Sequence, residues 1–323
     1  MGNRIAHATR ECFSPLPSGR GWGWVLLGHT PFAGLIPAVL TPFAPNGDLN
    51  LSGVEPLAHK LVADGVCGVF AGGTTGEFSS LTTDERVALA ARWSDVLKGT
   101  AVRLVVHVGA NSLHDARALA AHAQSLGAAA IAAVAPSYFK PKSLDVLIEW
   151  CAQLASAAPA TPFYFYDIPV LTGVALPMVE FLERAPARVP TLAGVKFTNP
   201  DLMTLQRLLR AGGFDVLYGM DEQLLAALVL GANGAVGSGY NFAAPLYNRL
   251  VAAVRANDLA TARDLQYRGV QLVEVLARYG YLSAAKELLR AKGIDLGPVR
   301  LPNTDLTADA RAALRRELGA LGA

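Results

Sequence analysis

From residue 34 onward the chain alternates. Short apolar runs are each followed by a longer stretch whose apolar positions recur at helical spacing. The strand candidates are LIPAVL (35–40), CGVF (67–70), RLVVHV (103–108), AIAAVA (130–135), FYFY (163–166), LAGVKF (192–197), DVLY (215–218) and GAVG (234–237), eight in all. They are nearly continuous apolar runs, as expected of parallel strands covered on both faces. Between them lie stretches with helix signals. One opens at Ser52 and stops at Gly65, and one opens at Thr82, with Asp84 and Glu85 in its first turn, and stops at Gly99. Two more run from Ser112 to Gly127 and from Asp221 to Gly231.

Eight strand–helix units in series predict a closed (β/α)8 TIM barrel over residues 34–242. A doubly wound open sheet is the alternative, but it would normally carry a GxGxxG turn after its first strand, and the turn here reads TPFAPNGDL. Residues 243–323 read as helices, broken near YGYLS and GIDLGPVRLPN, that pack on the barrel as a C-terminal helical appendage. Residues 1–33 have no such periodicity. Rich in Gly, Pro, Ser and Trp, they read as a disordered extension, and their apolar segment WGWVLLG is too short for the core of a secretory signal.

Composition narrows the function classes. The chain has 323 residues, 52% of them hydrophobic and 17% charged, enough for a large core in one barrel or two average domains. Its formal charge of +2 and its lack of any Lys/Arg cluster give no nucleic-acid footprint. No apolar run approaches the roughly 18 residues of a membrane span. The three cysteines, Cys12, Cys67 and Cys151, are far apart, without zinc or disulfide spacing, and read as reduced thiols of a cytoplasmic protein.

In such a barrel, chemistry belongs at the carboxyl ends of the strands. Polar clusters fall there: GGTTGE (72–77), YDIP (166–169), KFTN (196–199), GMDE (219–222) and GSGYN (237–241). Lys196 ends an apolar run. Desolvation there disfavours the ammonium and leaves a free amine able to form an imine with a ketone. Tyr166, ending the neighbouring strand, could carry protons. The hydroxyls of Thr74 and Thr75 and the backbone N–H groups of their loop suit a carboxylate. Taken singly, each has a plainer reading: a strand-end lysine, a core tyrosine, a glycine turn, and Asp221 with Glu222 as cap and first-turn acids. Their shared rim is what favours a site.

GGTTGE, FYFYDIP and GVKFT, in this order and spacing, resemble the Schiff-base aldolases that include dihydrodipicolinate synthase and N-acetylneuraminate lyase. The resemblance spans residues 34–303, and YDIPVLTGVALP and GMDEQLLAALVLGANGAVGSGYN lean towards the lyase members. It implies reversible cleavage of N-acetylneuraminate to pyruvate and N-acetylmannosamine. It makes Lys196 the imine-forming lysine, Tyr166 the proton carrier, and Thr74 and Thr75 the holders of the pyruvate carboxylate and helpers in the proton relay. It implies that Tyr138 reaches a neighbouring subunit's site in a homotetramer. Thr198, Gly219, Asp221, Glu222 and Ser238 would hold the sugar's hydroxyl chain. No metal or organic cofactor is implied, since the imine is the electron sink.

Three departures stand out. Leu171 replaces the arginine that dihydrodipicolinate synthases carry two residues after the proline. Gly239 stands where the lyases usually have threonine, and Asp167 where neutral residues or histidine are commoner. Another pyruvate-dependent aldolase or dehydratase of the same family, acting on a 2-keto-3-deoxy sugar acid, or a dihydrodipicolinate synthase-like activity, is therefore an alternative. A non-catalytic barrel sensing a keto acid is another.

Overall fold

The computed structural model describes residues 29–322. Eight strands, β1 (Gly34–Pro37), β2 (Gly68–Ala71), β3 (Arg103–His107), β4 (Ala130–Val134), β5 (Phe163–Asp167), β6 (Leu192–Phe197), β7 (Asp215–Tyr218) and β8 (Gly234–Gly237), form one parallel sheet in the order β1-β8-β7-β6-β5-β4-β3-β2. Cys67 N–H donates to Leu35 O at 3.0 Å and Val39 N–H to Phe70 O at 3.1 Å, which joins β2 to β1 and closes the barrel. Strands β2 and β6 stand four places apart and so face each other across it.

The continuous apolar strands serve two cores. Ile36, Phe70, Val105, Ala132, Tyr164, Leu217 and Val236 point inward and fill the barrel. Leu35, Val69, Val106, Ile131, Phe165, Val195 and Val216 point outward against the helices. Alternation thus sends successive apolar side chains to different cores, and no strand face is left for water.

The helix caps explain the boundaries. Thr82 and Glu85 form a reciprocal capping box at the helix Thr83–Val96, and Ser112 accepts the Asp115 N–H at the helix Leu113–Ser125. The first helix differs from expectation at its start. Asn50, rather than Ser52, is the cap, because its side-chain oxygen accepts both the Ser52 N–H and the Ser52 hydroxyl, and a 3-10 turn precedes the helix Val54–Ala63.

The barrel's eighth helix, Tyr240–Arg255, is kinked at Ala243, just before Pro245. The boundary expected at residue 242 falls at that kink, inside this helix. The appendage then comprises the helices Leu259–Arg278, Tyr281–Ala291 and Ala308–Leu321. The break expected near YGYLS lies at Gly280, whose φ is 77°. The segment GIDLGPVRLPN returns across the barrel, with Phe43 N–H donating to Leu296 O at 2.9 Å. No helix among the described residues is long and apolar enough to cross a membrane.

The expected N-terminal extension lies outside the described residues as far as residue 28. Its last five residues are corrected: they are built into the floor of the barrel. Phe32 is fully buried, its N–H donates to Asp215 Oδ2 at 2.8 Å, and the Arg103 guanidinium lies 3.6 Å from its ring centre. The floor of a closed barrel needs a plug, and a plug requires one well-placed side chain, not periodicity.

Candidate active site

Strand register sets the first half of the site. Tyr166, Lys196 and Leu217 lie side by side on β5, β6 and β7, and Lys196 points inward, only 3% exposed. Its Nζ lies 3.8 Å from the centre of the Tyr166 ring and 4.2 Å from that of Phe70. Two aromatic faces, rather than a carboxylate, are its near neighbours. Burial pulls its pKa below the usual lysine value, opposed by the Tyr166 hydroxyl and, at longer range, by Asp221. The result is an amine more easily freed of its proton than one in water.

The loop after β2 faces this amine from across the barrel. Thr74 Oγ1 lies 3.3 Å from the Tyr166 hydroxyl, so the two sequence motifs meet. Loop conformation depends on its glycines. Gly72 has a φ of 65°, and a Cβ at Gly73 would stand 2.6 Å from the Phe70 ring. Thr41 Oγ1 donates to Gly76 O at 2.7 Å from below. Thr75 is buried beside Thr74, which is half-buried.

Beneath the loop lies a pair that sequence reasoning missed. His107 is fully buried and donates from Nδ1 to Gly72 O at 2.9 Å. Arg86, also buried, donates to His107 O at 2.8 Å and Gly109 O at 3.0 Å. Burial, then the Arg86 and Lys196 charges, hold the His107 pKa well below the usual histidine value, so it is a neutral support. The available signal was a histidine inside the apolar run RLVVHV.

The second half of the site is cut from glycines. Asp221 is 4% exposed, and its Oδ2 accepts the Gly239 N–H at 2.6 Å, while Oδ1 has no hydrogen-bond partner among the described residues. A Cβ at Gly237 would stand 1.5 Å from Oδ1, and one at Gly219 would stand 1.9 Å from Thr198 Oγ1. Asp221 does not cap its own helix, contrary to its plainer reading; its carboxylate serves the neighbouring strand end. Burial pushes its pKa up to about 7, with Glu222 adding to the rise and the Gly239 N–H opposing it. Ser238 Oγ donates to the Tyr281 hydroxyl at 2.9 Å. Thr198, Glu222 and Ser238, which follow β6, β7 and β8, are half-buried.

Two residues stand apart. Tyr138 is 77% exposed on the loop after β4, its ring against Phe139 and its N–H donating to Asn111 Oδ1 at 3.1 Å. Asp167 follows Tyr166 and, by strand alternation, leaves the barrel interior. It is buried, 3.5 Å from Asn199 Nδ2, and burial pushes its pKa up to about 7. Among the described residues, no group of three His, Cys, Asp or Glu is placed to hold a metal ion.

The rim thus sets a desolvated amine and a tyrosine–threonine pair beside a buried carboxylate that follows the neighbouring strand. Such an arrangement can condense with a carbonyl at one end of a molecule and bind hydroxyls at the other. Residues 31–321 match the Dihydrodipicolinate synthetase family. The chain is similar to the N-acetylneuraminate lyase of Gallus gallus, 40% identical over 291 residues, which cover 87% of this chain and 94% of that protein. The structure of Proteus mirabilis N-acetylneuraminate lyase superposes with a TM-score of 0.88 at 37% identity, covering 90% of this chain and 99% of that one. A catalytic lysine mutant of Ruminococcus gnavus sialic acid aldolase superposes with a TM-score of 0.85 at 27% identity, covering 90% and 95%.

Proposed function

The chain belongs to the dihydrodipicolinate synthetase family, and from that premise we propose that it is a carbon–carbon lyase cleaving N-acetylneuraminate reversibly to pyruvate and N-acetylmannosamine. The observation that carries the reading is the buried Lys196 amine between the Tyr166 and Phe70 rings. The catalytic lysine named for the Ruminococcus gnavus aldolase supports the same role for it.

The Lys196 amine adds to the C2 ketone of the open-chain sugar acid. The ketone oxygen leaves as water, and a protonated imine remains. When the C3–C4 bond breaks, its electron pair moves into the imine to give an enamine. The proton lost from the C4 hydroxyl leaves through the Tyr166 hydroxyl, and one proton returns to C3, so the count balances. Water then releases pyruvate and regenerates the amine. Thr74 and Thr75 hold the pyruvate carboxylate and help relay protons. Thr198, Asp221, Glu222 and Ser238 receive the sugar's hydroxyls, with Gly219 making room for Thr198. No cofactor enters, because the imine itself takes up the electrons.

A homotetramer, with Tyr138 given to a neighbour's site, belongs to the same reading. Tyr138, Phe139, Val170 and Leu171 support it, since all are large apolar side chains exposed on the loop after β4 and on the short helix Pro169–Thr172 after β5. Cys151 is a buried free thiol, which supports a reducing, cytoplasmic setting.

Retro-aldol rates on N-acetylneuraminate and on 2-keto-3-deoxygluconate test the substrate. Faster cleavage of the second would transfer the reading to another pyruvate aldolase of this family. Gly239 is the observation that keeps that reading open. Its N–H is spent on Asp221, and a Cβ there would stand 2.8 Å from Asp221 Oδ2, so the threonine usual in lyases is absent from the sugar side.

A further inference from the structure

Glu77 ends the threonine loop in a left-handed conformation, φ 55° and ψ 37°, which a residue with a Cβ adopts only when its surroundings impose it. Those surroundings come from the far end of the chain. Glu77 Oε2 accepts the Arg300 N–H at 2.9 Å, 223 residues away, and the Asn303 side-chain amide at 3.2 Å. Oε1 lies 3.5 Å from Lys286 Nζ, and both partners are buried. Lys286 also donates to Pro298 O and lies 4.5 Å from the Phe43 ring centre. The Arg300 guanidinium donates to Gly47 O and Ser80 O, each at 2.8 Å, and pairs with Glu85 at the start of the next helix.

A buried lysine–glutamate pair is weak evidence for stability, because desolvation offsets the attraction. Its geometry points elsewhere. Glu77 N–H donates to Thr74 O at 3.0 Å, closing the turn that sets Thr74 Oγ1 3.3 Å from the Tyr166 hydroxyl. The backbone at Glu77 therefore decides where the threonine hydroxyls stand.

We infer that Lys286, through Glu77, is a positioning residue that sets the Thr74 and Thr75 turn for the carboxylate of the keto acid. The inference rests on the proposed role of that turn. The charges facing Lys286 are Glu77, Asp305 and Arg300. Burial pulls its pKa down to about 8, against the attraction of Glu77 and Asp305. The clamp is thus charged below pH 8 and loosens above it.

Borohydride trapping of pyruvate on Lys196, followed by mass spectrometry across pyruvate concentrations, tests this. Lys286→Met should raise the half-saturating pyruvate concentration about tenfold without lowering the final extent of trapping, as misplacement of a binding group does. Lys286→Arg, which keeps the charge, should stay within about threefold. Half-saturation in the unaltered protein should rise as pH passes through about 8, and Lys286→Arg should lack that step. Unchanged half-saturation in Lys286→Met overturns the inference. Where circular dichroism shows that this variant has not folded, Asn303→Ala should give a rise of about threefold, and no rise overturns it equally. Failure of the unaltered protein to trap pyruvate would sink the imine reading, and the clamp's role with it; trapping with unmoved half-saturation sinks the clamp alone.

Discussion

The two halves of the rim are built on opposite principles. Around Lys196 the neighbours are large: the Tyr166 and Phe70 rings approach within 3.8 and 4.2 Å and leave the amine little contact with water. Around Asp221 the adjoining strand end is glycine: Gly237 and Gly239 leave room for a carboxylate that no Cβ could share, with the Tyr240 hydroxyl also beside it. Burial pushes both groups towards their neutral forms, the lysine downward and the aspartate upward. One half thus holds an amine by excluding solvent, and the other holds a carboxylate in space that glycines leave open. The halves should therefore fail differently. Damage to the first should stop chemistry, and damage to the second should weaken grip on the sugar while leaving pyruvate chemistry intact.

Removing the amine gives the largest separation. Lys196→Ala should lower kcat on N-acetylneuraminate by a factor on the order of 10^4 or more, as loss of a covalent nucleophile does, and should abolish borohydride trapping. Retained turnover would remove the imine mechanism. Tyr166→Phe comes next. It keeps the ring against Lys196 and loses only the hydroxyl, so kcat should fall by about 10^2 to 10^3, the range for a lost proton carrier. Trapped pyruvate should still accumulate, more slowly. A variant that neither traps nor turns over would show the hydroxyl to be needed for imine formation as well.

Gly237→Ala probes the other half. The new Cβ would stand 1.5 Å from Asp221 Oδ1, so the carboxylate must move. The KM for N-acetylneuraminate should rise about tenfold or more, while half-saturation for pyruvate trapping stays put. If both rise together, the halves are one mechanical unit. There is a structural route for that. The helix Tyr281–Ala291 touches both, through Tyr281 to Ser238 and through Lys286 to Glu77.

The same contrast governs what could be read from the chain alone. The barrel was legible because every strand is an apolar run and every interval carries helical spacing, and these local patterns are what the two cores require. Lys196 was legible as a charge inside such a run, and the threonine loop by its glycines. Yet His107 in RLVVHV and Lys286 in AAKELL are titratable residues in apolar settings too. Their partners, Gly72 for one and Glu77 for the other, come from distant strand ends, and no local pattern announces such a pairing. Phe32 was hidden for a related reason. A stretch rich in Gly, Pro and Ser looks unstructured, but one ring placed among the starts of β2, β3 and β5 is enough to close the floor. For Asp221 the sequence offers a helix cap as the plainer reading because its sequence neighbours suggest one, while the Gly239 N–H that captures it lies on another loop.

Asp167 should separate burial from function most cleanly, and with the smallest effect on activity. It resembles Asp221 in its buried carboxylate and its pKa of about 7, both caused by burial. It differs in facing away from the barrel interior, with Asn199 as its hydrogen-bond partner. A carboxyl whose folded pKa lies above its unfolded value of 3.8 binds its proton more tightly in the native state. Its contribution is fully present below about pH 4 and is lost as pH rises to about 7. At pH 8 the buried carboxylate is a liability of up to about 4 kcal/mol, three pKa units at about 1.4 kcal/mol each. Asp167→Asn keeps the size and an acceptor for Asn199 and removes the charge. It should raise Tm by several degrees at pH 8 and by far less at pH 4, while kcat/KM on N-acetylneuraminate moves by less than about twofold, as for sites without contact to the reacting atoms. A Tm gain equal at both pH values would show that the carboxyl is not titrating there. A large loss of activity would instead place Asp167 among the residues that set Tyr166 or Thr198, through the Thr198 N–H that its own carbonyl accepts at 2.9 Å.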